Sequence, residues 1–146
     1  ANLKIVKTDN HLQFSKVEKI DERSMTQIQE GISEYNIGVK ALAKKEYKTA
    51  QTHLKNTEKK LKRGKITDDG LNFARGNLAI SYLATGEKRG VGQAKRYLKD
   101  LTSKLFNTRE WSYNIAVANY DFASRSRGTV KEEYMKKSIK LFNSLL

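Results

Sequence analysis

The sequence predicts an all-α protein built of paired helices, and three observations carry that prediction. Large apolar residues recur three or four positions apart through most of the 146 residues, which is the spacing of one helix face. No proline interrupts those stripes, so helices of several turns are permitted. A short motif, Asn followed by an apolar and then a small residue, begins at Asn36, Asn77 and Asn114; the 41- and 37-residue spacings fall in the range of helical-hairpin arrays.

Taken in order, residues 1–23 form an irregular N-terminal segment ahead of a helical repeat domain at 24–146. Leu12 and Phe14 alternate as in a strand, while Val17 and Ile20 begin a helical stripe. The segment around Leu12, Phe14 and Val17 is expected to pack on the helical array, as a lid over a groove or as an N-terminal cap. Ser24 and Gln27 read as a capping box that opens the first helix. Met25, Ile28, Ile32, Tyr35, Val39 and Leu42 share one face of it, with Ile37 and Ala41 on another flank. Gly38 would cost a lone helix about 1 kcal/mol relative to Ala, so a close helix crossing is expected there.

The second helix is expected over about Lys44–Lys62, with Tyr47, Ala50, Leu54 and Leu61 inward, ending at Arg63-Gly64-Lys65. Thr67 followed by Asp68 and Asp69 suits the start of the third, whose core face is Leu71, Ala74, Leu78 and Tyr82 and which Gly86 stops. Gly86 to Gly92 reads as a lengthened, glycine-rich hairpin tip. Val91, Ala94, Leu98, Leu101 and Leu105 mark the fourth helix. Thr108 caps the fifth, with Trp111, Ile115 and Phe122 on one flank and Tyr113, Val117 and Tyr120 on the other. After Ser124–Gly128, a Thr129/Glu132 capping box opens the sixth, whose face is Tyr134, Ser138, Ile139, Phe142 and Leu145.

On these residues the chain resembles the tetratricopeptide repeat (TPR) family, over residues 31–146 and as about three degenerate repeats. Gly38, Ala79 and Ala116 stand where the first helix of each unit carries a small residue. Ala50 with Leu54, and Ala94 with Leu98, stand where the second carries Ala and a large apolar residue four later. The third unit is irregular: Ser138 and Phe142 fill those two positions ten residues late, and no unit closes on Pro. The resemblance implies a right-handed superhelix of three antiparallel helix pairs that acts as a non-enzymatic adaptor, holding a protein or peptide segment in its concave groove. It implies that Asn36, Asn77 and Asn114 reach the backbone of the bound peptide. Tyr35, Val39, Phe73, Ile80, Tyr113 and Val117 would be their groove neighbours. The alternative is that the asparagines bond between adjacent helices and that the aromatic residues are core. No Lys/Arg clamp for a terminal carboxylate is present among them.

The formal charge of +13 is unevenly placed. Segments 44–65, 87–105 and 129–146, which hold the second helices, carry +7, +4 and +2, while the remainder sums to zero. The resemblance puts those helices on the convex back. Lys55, Lys59, Lys60, Lys62, Arg63 and Lys65 form the densest cluster, extended by Lys88, Arg89, Lys95 and Arg96. Such a face suits an anionic partner, namely nucleic acid, a membrane surface or an acidic protein, through counterion release. It is equally the composition of a solvated lysine face, and aromatic stacking platforms for a single strand are nearly absent from it.

Catalytic classes find little footing. With no cysteine there is no thiolate chemistry or disulfide. His11 and His53 are far apart and lack a carboxylate at ligand spacing, so both read as surface polar residues, and neither metal nor cofactor is expected. Gly86–Gly92 is glycine-rich but lacks the Lys-Ser/Thr of a phosphate loop and follows a helix. Asp68-Asp69 and Glu132-Glu133 are explained by helix starts. No apolar run approaches the roughly eighteen residues of a membrane span. The absence of cysteine is compatible with an oxidising compartment, and the cell envelope or periplasm is favoured over the cytoplasm by a small margin.

Overall fold

A computed structural model describes residues 21–66, 69–100 and 109–146, and among them the structure is helical with no strand. The elements are α1 (Glu22–Ala43), α2 (Tyr47–Arg63), α3 (Asp69–Thr85), α4 (Lys88–Asp100), α5 (Arg109–Ser124) and α6 (Gly128–Ser144). The expectations on Leu12, Phe14, Val17, Thr67, Leu101, Leu105 and Thr108 lie outside the described residues.

The first helix begins two residues before Ser24. Its cap is Asp21, whose carboxylate accepts the Ser24 N–H at 2.7 Å. Bonding to Ser24 holds the Asp21 carboxyl below its ordinary value. The Ser24–Gln27 box therefore does not form: Ser24 is already helical, and a charged acceptor upstream answers the same orphan N–H while complementing the positive helix end.

α1 and α2 run antiparallel in close contact along their length. A Cβ at Gly38 would stand 2.8 Å from Leu54 Cγ, one at Gly31 would stand 3.0 Å from Leu61, and one at Gly64 would stand 2.6 Å from Ile28. The crossing at Gly38 is as expected, with Ala50, Leu54 and Leu61 fully buried against it. Both helices end in the same turn. Glu46 N–H bonds Ala41 O at 2.8 Å and Ile66 N–H bonds Leu61 O at 2.9 Å, closing over Lys45 and Lys65 at φ 60° and 62°. Lysine thus occupies the left-handed position usually given to glycine. Gly64, at φ −79°, is there for the close approach to Ile28.

The turn between α3 and α4 is shorter than expected. Gly86 does stop α3, at φ 67°, but α4 begins at Lys88, so Gly90 and Gly92 are helical residues. The extra length in this hairpin lies in the first turn of α4, where Val91 N–H bonds Glu87 O at 2.8 Å and Gly90 passes close to Tyr82. The Thr129/Glu132 box is also absent: α6 starts at Gly128 behind Arg127, with no side-chain cap bond.

α5 and α6 form a further antiparallel pair. Ser138 Oγ donates to Ala116 O at 2.9 Å, and Phe122 meets Tyr134 edge-on at 4.5 Å. A small residue at 138 lets the backbones approach, which is what an Ala would otherwise do. The first hairpin meets the second chiefly through α2 against α3, with a lighter contact of α1 on α3, and the second meets the third through α3 against α5. Asn77 on α3 donates to Tyr35 Oη on α1 at 3.1 Å, and Phe73 on α3 stacks on Trp111 of α5 with centroids 6.4 Å apart. α2 lies on both α1 and α3, whereas α4 lies on α3 alone among the described residues. One core runs continuously from Tyr35 to Tyr134, with a smaller cluster of Ile28, Leu61, Ile66 and Leu71 at the far end of the first hairpin.

Candidate interaction site

The nine residues proposed for a peptide groove do not share one surface. Tyr35, Val39, Asn77, Ile80, Asn114 and Val117 are buried; Asn36 is exposed, and Phe73 and Tyr113 are half-buried. The asparagines therefore differ in role despite their shared motif. Asn77, only 2% exposed, donates to Tyr35 Oη and to Phe73 O, each at 3.1 Å. Its amide joins two helices, because α3 is covered by neighbours on several sides. Asn36, on the end helix α1, has no such cover. Phe73 faces Trp111, while Tyr113 meets Phe142 of α6 edge-on at 6.0 Å.

The basic cluster on α2 is partly neutralised, both within the helix and by contacts from its neighbours. Lys60 pairs with Glu30 of α1, Lys62 pairs with Glu58 at 3.0 Å, and Lys55 lies over the Tyr82 ring at 5.4 Å. Lys59, Arg63 and Lys65 are exposed without an ion pair among the described residues. Arg89 and Arg96 are exposed as well, while the side chains of Lys88 and Lys95 lie outside the described residues. His53 is not a plain surface residue: its Nδ1 stands 2.5 Å from Glu34 Oε2 in a recess between α1 and α2. The antiparallel pairing brings these two residues together. No group of three or more Asp, Glu or His suited to a metal ion occurs among the described residues, and no described helix is long and apolar enough to cross a membrane.

Sequence reasoning missed an apolar slot of about 430 Å³ between the second and third hairpins. Leu83 of α3 and Ala94 of α4 form one wall; Ile115 and Asn119 of α5 the floor; and Tyr134, Lys137, Lys140, Leu141 and Ser144 of α6 the other wall. It exists because α4 and α6 do not pack on each other among the described residues. The late register of Ser138 and Phe142 was its one trace in the sequence, since it set the third pair apart from the first two.

A polar tie crosses from the first hairpin to the third. Tyr47 donates to Asp121 Oδ2 at 2.8 Å, Lys45 Nζ lies 3.5 Å from the same oxygen, and Arg125 lies over the Tyr47 ring at 5.8 Å. Burial, reinforced by the Asp121 carboxylate, pushes the Tyr47 hydroxyl well above its ordinary value of 10.0. The folded chain thus keeps Tyr47 neutral where the unfolded chain ionises. Its stabilisation is complete below pH 10 and is lost as pH rises beyond that. Tyr47→Phe is expected to lower unfolding free energy by about 1.5–2 kcal/mol near neutrality, the scale of a hydrogen bond to a charged acceptor. Denaturant titrations of both proteins check this: the gap between them narrows above pH 10, and a gap independent of pH would contradict the assignment.

Compared with protein-family models, with curated proteins and with solved structures, the chain matches none.

Proposed function

We propose that this chain is a non-enzymatic interaction module of TPR type, whose three helix pairs form a right-handed superhelix and hold a protein or peptide segment along the face of α1, α3 and α5. The observation that carries the reading is the layering. The three first helices adjoin in order, α1 to α3 through Tyr35 and Asn77 and α3 to α5 through Phe73 and Trp111. The second helices pack against them. Of the groove residues, exposed Asn36 and half-buried Phe73 and Tyr113 are the ones a partner can reach, while Asn77 and Asn114 are buried. A second reading, an anionic partner on the convex side, draws on exposed Lys59, Arg63 and Lys65.

Pull-downs from native lysate at ~50 and ~500 mM salt separate the two, because polyanion binding falls steeply over that range. Capture is expected to survive high salt and the pair Lys59→Glu/Arg63→Glu, and to be lost in Asn36→Ala/Tyr113→Ala with the circular dichroism unchanged. Capture that disappears at high salt and in the charge-reversed protein would favour the convex face.

A further inference from the structure

The slot between the second and third hairpins is lined almost wholly by carbon, and its polar groups are nearly all engaged. Asn119 Nδ2 donates to Ile115 O at 2.9 Å, Ser144 Oγ donates to Leu141 O at 2.6 Å, and Lys137 pairs with Glu133 at 3.1 Å. An extended peptide laid there would leave its backbone N–H and C=O groups without partners, which is costly for each group buried unpaired. A helix satisfies its own backbone and needs only apolar side chains to place. The lining stretch of α6, Tyr134 to Ser144, rises about 15 Å at 1.5 Å per residue. That length accommodates anchors at i, i+4 and i+7 of a second helix, which span about 10.5 Å.

The charge at the rim selects the partner's sign. Lys140 is exposed and carries no ion pair among the described residues, Lys137 stands one turn away, and the whole chain bears +13. We propose that this slot seats the apolar face of an acidic amphipathic helix from a partner protein, with carboxylates of that helix meeting Lys140 and Lys137. The inference rests on reading the chain as a protein-interaction module, but it places the contact between α4 and α6, away from the α1, α3 and α5 face.

The test uses the full chain and a labelled synthetic helical peptide carrying Leu at i, i+4 and i+7 and Glu on the flanking positions. Fluorescence polarisation at ~150 mM salt is expected to show binding that weakens about tenfold or more when the three Leu are replaced by Ser, or the Glu by Lys. Lys137→Glu/Lys140→Glu is expected to reverse the preference, so that the Lys peptide binds more tightly than the Glu peptide. That gain does not depend on a core substitution and cannot come from misfolding. Amide and methyl NMR shifts caused by the peptide should centre on Leu83, Ile115, Tyr134 and Leu141. Shifts centred on Phe73 and Tyr113 would overturn this inference while leaving the proposed function standing, whereas loss of lysate capture in the groove variants tests the latter alone. Binding insensitive to Leu→Ser, displacement of the peptide by dodecanoate through a tighter fit to the slot, or contacts from residues 1–20 filling it before peptide is added would each overturn the proposal.

Discussion

Trp111→Ala is expected to lower the unfolding free energy by about 3–5 kcal/mol, the range for removing a buried indole from a core. Trp111 is 1% exposed and lies parallel to the Phe73 ring, so it is an apolar bridge between α3 and α5. The backbones of α4 and α5 do not approach closely among the described residues, so the second and third hairpins depend on side-chain contacts of this kind between α3 and α5. Domains of ordinary stability, about 5–15 kcal/mol, lose roughly a fifth or more of it to such a change. Chemical denaturation followed by circular dichroism measures the loss, and Trp111→Phe should recover much of it. A change below about 1 kcal/mol would show that the third hairpin is held by other means.

Gly38→Leu is expected to destabilise by about 2–3 kcal/mol, within the range for overpacking a tight core. The added Cβ would stand 2.8 Å from Leu54 Cγ and 2.9 Å from Leu54 Cδ2, and the rest of a leucine side chain would have to fit beyond it where Leu54 is fully buried. For a chain of this length the melting temperature should fall by roughly 5–10 °C. Combining Gly38→Leu with Leu54→Ala should cost less than the two changes summed, since the second opens the space the first requires. Strict additivity, or an unchanged melting temperature for the single variant, would mean that the crossing lies elsewhere.

Neither prediction could have been ranked so firmly from the sequence. Gly38 was legible because a glycine inside a strong apolar stripe asks for a neighbour, and Leu54 was already inward by spacing. Trp111 is legible as core, but the family resemblance assigns its partner Phe73 to a groove. The difference is one of range. A helix stripe is written within four residues, while the ring that covers Phe73 comes from a different hairpin.

What the sequence determined by itself was local: six stretches of helical periodicity, the stop at Gly86, the small residues at Gly38, Ala79 and Ala116, and the concentration of positive charge in alternate segments. These follow from the 3.6-residue repeat and from the chemistry of single side chains. Tertiary structure alone decided that Asn77 is bonded inside the stack while Asn36 faces solvent. It also set Glu30 against Lys60 and Glu34 against His53, and left a slot between α4 and α6. Burial and pairing depend on which surfaces meet, and these meetings join residues 19 to 42 positions apart, beyond the reach of any helical period.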